Sequence, residues 1–477
     1  MVVGWCIILP SLILYIICIL FPKSFGSNHD QLSILMKTIE RLKKKHENDT
    51  TPITTKSFRE RSKENGEKLI ACFGFVFELN NFSSHHPGGD FLNHFIGKDI
   101  TPWMLITHAK SEQALKSLIT KSIGKLEASK SDAHPFNLSL LPAMDAEYVQ
   151  IFFDFNRREI FAVQNAWTMM DIFEVYFPLF VGYWMMLSFA LTSWIFWFGF
   201  LLMGIAASRQ GIFYHDIMHR SVFACAKKAR NIVYYSSMLI WAFNFNVTGD
   251  IHDIHHGFVN IIGLDTAIDM PLLPCDKKQL ALKKSGIPAF LREYFFAANA
   301  YFYLFLAWVI LPYYSLYPFF ARSLTRGEAI VHLARIALLY CFWDYQYQFV
   351  VAAAVGYFYF AAVGSLNHFH KEMTTPDVFF ADHLTPGEKG TISTFVALQS
   401  QTVQNTDHGP LIDALLGHFT LHVEHHLFPL MPRRNYAVIS EEIQQFLKKY
   451  NLGYSVCSQY DALSSFNHIL RFPDSEK

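Results

Sequence analysis

Two apolar runs, roughly 173–191 and 193–213, follow one another with almost nothing charged between them. About 20 uncharged residues suffice to cross a hydrocarbon layer as a helix. Inside lipid a chain must satisfy its own backbone hydrogen bonds, so the pair predicts a membrane-embedded helical hairpin. Composition agrees: 52% of residues are hydrophobic and only 17% charged, richer in apolar groups than a soluble chain. Lysine plus arginine balances aspartate plus glutamate at 40 each, which leaves no electrostatic footprint for nucleic acid. The seven cysteines are scattered, odd in number and without a CxxC pair, which argues against a disulfide framework and fits a reducing compartment.

Just past the hairpin comes the first of three histidine clusters, His215-Asp216-Ile217-Met218-His219. The others are His252-Asp253-Ile254-His255-His256 and His422-Val423-Glu424-His425-His426. Residues three or four apart share a helix face, so each cluster aims two or three imidazoles at one spot. A lone histidine is ordinarily a satisfied polar residue. Three clusters, two of them with HxxHH spacing, read instead as a centre for one or two transition metals. Neutral imidazoles suit iron, with coordination positions left for dioxygen. Asp216, Asp253 and Glu424 are candidates to accept the distal N–H of a ligating ring, fixing its tautomer; for Asp253, helix capping is an equal reading.

The chain of 477 residues divides into six parts. Residues 1–28 form an N-terminal membrane anchor, since 2–22 carry no charge. A cleavable signal peptide is the rival reading, but it lacks a basic leader. Basic residues crowd 37–68, which places the chain after the anchor in the cytosol. Residues 29–66 read as a helix fragment followed by polar linker, 67–128 as a compact unit, and 129–143 as a second linker bearing Pro135 and Pro142. The membrane domain occupies 144–450, and a tail closes the chain at 451–477.

The compact unit has a signature of its own. His86-Pro87-Gly88-Gly89 follows a strand-like stretch, and His108 stands downstream in Ile106-Thr107-His108-Ala109. Over about sixty residues this resembles the cytochrome b5 fold, an α+β domain clamping haem b between two axial histidines. The resemblance implies His86 and His108 as ligands and an electron carrier without a free coordination site.

The second half resembles the membrane-bound, cytochrome b5-fused fatty acid desaturases of the front-end type. The match runs from about 150 to 450. It includes the three clusters, Ser365-Leu366-Asn367-His368, and His425-His426-Leu427-Phe428-Pro429-Leu430-Met431-Pro432-Arg433. The implied fold class is multi-domain, a haem domain followed by an all-α transmembrane di-iron domain. Implied metal ligands are His215, His219, His252, His255, His256, His368, His422, His425 and His426, with Asn367 beside them. The implied reaction removes two hydrogens from a fatty acyl lipid or acyl-CoA, with dioxygen as co-substrate. Electrons would come from NADH-cytochrome b5 reductase through the fused haem, at the endoplasmic reticulum membrane. The chemistry is coherent, because an unactivated methylene has no acidic proton and general acid–base catalysis cannot attack it.

The third cluster departs from the pattern. Front-end enzymes usually begin it with Gln, where this chain has His422. That substitution keeps open an acyl or sphingolipid hydroxylase, or a sphingolipid desaturase; product analysis separates these. A membrane haem carrier without catalysis is a third reading, distinguished by metal content. For haem and histidine clusters to share one membrane face, an even number of spans must separate clusters two and three. Three apolar stretches occur there, near 295–317, 328–343 and 346–366, and Glu328, His332 and Arg335 assign the middle one to the interface.

Overall fold

The computed structural model describes residues 32–80, 82, 86, 89–127, 137–222, 234–235, 238, 245–265, 325–341, 343–368, 374–380 and 392–471. The N-terminal apolar run, the Pro87-Gly88 turn, most of the second linker and the 295–317 stretch lie outside these residues.

Helix α1 (Ser33–Lys45) opens the described chain and α2 (Thr55–Arg59) comes next, capped by the Thr54 side chain, which accepts from Ser57 N–H at 3.0 Å. Strands β1 (Leu69–Cys72) and β2 (Phe75–Glu78) form an antiparallel hairpin. Its two-residue turn, Phe73-Gly74, has φ of 50° and 77°, the left-handed geometry that matches strand twist and that glycine tolerates best. β3 (Ser122–Lys125) pairs with β2 and completes a three-stranded sheet. Between β2 and β3 lie a 3-10 segment at Gly89–Phe95, α3 (Thr101–Thr107) and α4 (Glu112–Lys121).

Residues 32–66 are not a spacer. Leu35, Ile39 and Leu42 of α1, at helical spacing, are buried in the main core. At the end of α1, Lys45 Nζ donates to Ile119 O and Ser122 O, both at 2.8 Å. Phe58 of α2 packs with Leu69, Ala71, Val76 and Leu126, and Ile53 pairs with Leu126. The charges that made this stretch look like linker sit on its outer faces.

Helix α5 (Ala143–Arg157) leads into the hairpin of α6 (Asn165–Ser188) and α7 (Trp194–Met218). Both hairpin helices are long and apolar enough to cross a membrane. Phe173, Phe177, Trp184, Trp197 and Leu201 are exposed on them, a surface that fits lipid. On the inner side the helices approach through small residues: a Cβ on Gly182 would come within 2.6 Å of Gly199 O.

Helix α8 (Phe245–Phe258) carries the second cluster; α9 (Arg326–Cys341) and α10 (Trp343–Leu366) come after it. The expected polar face of α9 is turned inward. Glu328 and His332 are buried, with Glu328 accepting from Tyr234 Oη and Thr325 N–H, while Ile330, Leu333 and Ile336 are exposed. A water-facing amphipathic helix shows the reverse, so the interfacial reading of this segment loses its basis. The rest is short: α11 (Pro376–Phe379), α12 (Phe395–Gln401), β4 (Asn405–Thr406), α13 (Pro410–Leu416), α14 (His422–Leu427), α15 (Tyr436–Lys449), β5 (Val456–Cys457) and α16 (Gln459–Arg471). β4 and β5 pair in parallel.

The largest buried cluster runs through both the α+β unit and the helical domain. Ile70, Phe77, Phe95 and Ile106 from the first, and Tyr148, Phe258, Phe395 and Phe428 from the second, belong to one buried cluster.

Candidate metal centre

Four segments bring their histidines to one place: the end of α7, α8, the end of α10, and α14. Nine imidazoles meet there, and all but half-buried His252 are buried. They sort into two groups. His215, His219, His252, His256 and His425 have ligand atoms within 4.8 Å of one another, as do His255, His368 and His426. His422 joins the second group, its Nε2 2.9 Å from Nε2 of His368.

Adjacent residues on a helix point about 100° apart, so His255 and His256 diverge into different groups, as do His425 and His426. That is the structural meaning of HxxHH. One histidine of each adjacent pair serves each group.

Within the first group, Nε2 atoms lie 2.8 Å apart (His219 and His252), 3.1 Å (His256 and His425), 3.2 Å (His252 and His256) and 3.3 Å (His215 and His219). Partners on the outer nitrogens indicate which tautomer faces inward. The Nδ1 of His425 lies 3.1 Å from Tyr436 Oη, whose own proton goes to Met431 O at 3.2 Å. The Nδ1 of His426 lies 3.1 Å from Gln399 Oε1, and that of His255 2.9 Å from Asp265. These oxygens accept, so each ring carries its proton on Nδ1 and turns a bare Nε2 inward. Lone pairs crowded at about 3 Å match the edge of a coordination polyhedron with bonds of roughly 2.1 Å. Nε2 of His426 is buried without a hydrogen-bond partner, as a ligand atom would be. The residues fit two metal ions.

Burial is the main reason that His219, His252, His256, His422, His425 and His426 titrate well below the ordinary range, and neighbouring imidazoles add to it. The rings are therefore held neutral, the form that ligates.

The supports of α14 are also in place. Asn405 accepts from Val423 N–H at 2.8 Å and donates to Glu424 at 2.9 Å, while Tyr148 Oη donates to Leu427 O at 2.6 Å. Glu424 thus serves Asn405 and Tyr454, not an imidazole. Asp216 lies 3.7 Å from Nδ1 of His215, beyond hydrogen-bond reach, and pairs with Arg433. Arg433 also binds Asp171 at 2.6 Å, tying the start of α6 to the histidine-bearing end of α7. Asn367 donates to Phe419 O at 3.2 Å. Asp253 stands on α8 directly after His252. The outer partners of His255, His426 and His425 are instead Asp265, Gln399 and Tyr436, which no spacing rule connects to the clusters.

Asp265 is fully buried and also accepts from Asn260 N–H at 2.8 Å. Asp265→Asn keeps the shape but removes the anionic acceptor from His255. Metal affinity at the second group is expected to fall by roughly 10- to 100-fold, read by chelator competition, while the first group is unchanged.

His86 and His108 face one another in the α+β unit, ring centroids 5.8 Å apart. Iron–nitrogen bonds of about 2 Å on either side place two axial rings roughly 6 Å apart, so the pair fits one haem iron. Burial lowers both, His108 to about 4 with help from His86 and Arg220. Both imidazoles are neutral and available.

The family model for fatty acid desaturase matches residues 191–458. That for a cytochrome b5-like haem/steroid binding domain matches residues 54–127. A Delta(8)-fatty-acid desaturase of Euglena gracilis is 25% identical over 425 residues, covering 83% of this chain and 92% of the relative. An acyl-lipid (9-3)-desaturase of Physcomitrium patens is 24% identical, covering 80% and 70%. A Delta(6)-fatty-acid desaturase of Caenorhabditis elegans is 23% identical, covering 79% and 89%.

Proposed function

Because the chain belongs to the fatty acid desaturase family and carries a cytochrome b5-like domain, we propose that its nine clustered histidines hold two iron ions that serve acyl-chain desaturation. The enzyme is a membrane-bound oxidoreductase that introduces a double bond into a fatty acyl chain. Removing two hydrogens from adjacent carbons, with one dioxygen, two electrons and two protons, yields the alkene and two waters. Iron supplies the dioxygen activation that no side chain can.

The protein's own residues do the rest. His215, His219, His252, His256 and His425 form one ligand set; His255, His368, His422 and His426 form the other. Asp265, Gln399 and Tyr436 fix ring orientation. His422, at the position where front-end enzymes usually have Gln, lies among the second set, so this chain offers an imidazole there. His86 and His108 hold haem b, reduced in turn by NADH-cytochrome b5 reductase. The acyl substrate is a lipid or acyl-CoA, and the site faces the cytosol at the endoplasmic reticulum membrane. The haem domain extends over 54–127 with α1 packed against it, and the desaturase domain from 143 to about 458.

The observation that carries this reading is the sorting of nine imidazoles into two adjacent groups. Expression of the full chain in yeast fed long-chain acyl substrates, with mass spectrometry of the methyl esters, tests it. An added double bond is expected. Hydroxylated product alone, or no product from iron-loaded enzyme, would overturn it.

A further inference from the structure

The α+β unit packs directly against the segments that carry the clustered histidines. Helix α3, which delivers His108, lies against α8, which delivers His252, His255 and His256. Trp103 of α3 donates its indole N–H to Gly257 O, one residue beyond His256, at 2.8 Å. Its ring meets Phe95 and Phe395 at 4.9 and 5.1 Å. Along α3, Thr107 Oγ1 donates to Trp103 O at 2.8 Å, linking the indole back to the residue before His108.

A second link runs alongside. Lys110, two residues past His108, donates to Arg220 O and Leu430 O, each at 2.9 Å, and Arg220 returns a bond from its guanidinium to Lys110 O. Arg220 directly follows His219. Each link joins the neighbourhood of a haem ligand to the residue next to a metal ligand. Around them Phe95 and Phe258 pack at 5.6 Å within the common core.

Resting on the di-iron reading above, we infer that Trp103 is the residue that positions the haem-bearing unit against the metal centre for electron transfer, with Lys110 and Arg220 as the latch. His86 and His108 would hold the haem iron that gives up one electron per pass, and the clustered histidines would hold the iron that accepts it. No bond is made or broken. Two passes supply the electrons for one dioxygen, and a flavin reductase oxidising NADH refills the haem.

Two readouts on the purified full chain test this. In the first, anaerobically reduced, iron-loaded protein is mixed with dioxygen and acyl substrate, and haem oxidation is followed at its Soret band. The wild-type rate should stay constant on tenfold dilution, Trp103→Leu should slow it tenfold or more, and Trp103→Phe should fall between. In the second, hydrogen exchange of the metal-free chain should rise over 101–110 and 252–260 in Trp103→Leu and in Lys110→Met. A rate that falls in proportion to dilution, or a Trp103→Leu protein with wild-type oxidation and wild-type exchange, overturns the inference. Neither readout scores the product, so an enzyme that proved to hydroxylate would defeat the desaturase reading and leave this one standing.

Discussion

His425→Ala is expected to abolish turnover and to strip iron from the first histidine group. The ring belongs to the first group, with its Nε2 3.1 Å from that of His256 and its Nδ1 on Tyr436. Losing an outer partner costs roughly 10- to 100-fold in metal affinity or activity, and losing the ligand itself should exceed that. Iron per chain, measured by mass spectrometry after gel filtration, should fall by about half, and unsaturated product should drop below detection. The haem spectrum should be unchanged, because His86 and His108 lie elsewhere. Retention of full iron and activity would remove His425 from the centre.

His108→Ala should give the complementary result. The half-buried ring stands at the end of α3 and faces His86. Burial lowers its pKa to about 4, so at neutral pH it presents a lone pair. Without it a haem would keep one axial ligand, and the Soret absorbance of the purified chain should fall to under a tenth. NADH-driven desaturation should disappear with it, while the iron held by the nine histidines stays constant. Haem loss with intact NADH-driven turnover would show that electrons reach the metal centre by another route.

The parts that could be read from the chain are those where chemistry imposes a local spacing. HxxHH on a helix, a histidine before Pro-Gly-Gly, and two apolar runs of span length each put their constraint inside a short window. The partners of the rings could not be read that way. Asp265 follows α8 by a loop, Gln399 precedes His426 by an intervening strand and helix, and Trp103 belongs to another domain; only packing joins them to the site. The acids inside the clusters misled for the same reason. Asp216 and Glu424 are next to histidines in sequence, yet their carboxylates turn to Arg433 and to Asn405 and Tyr454. On α9 the polar residues have the spacing of an outward stripe, yet Glu328 and His332 are buried while Ile330, Leu333 and Ile336 are exposed, an orientation that spacing alone does not give.

Because neighbouring rings of α8 and of α14 diverge by about 100° into different groups, the offset between the two groups follows the peptide geometry. Tilting or sliding either segment would carry both positions as a pair. A single residue inserted between His255 and His256, or between His425 and His426, would swing one ring to the wrong side by about a quarter turn. The centre thus behaves as a gauge block: it can be displaced, but its internal measure is built into the thread of the backbone.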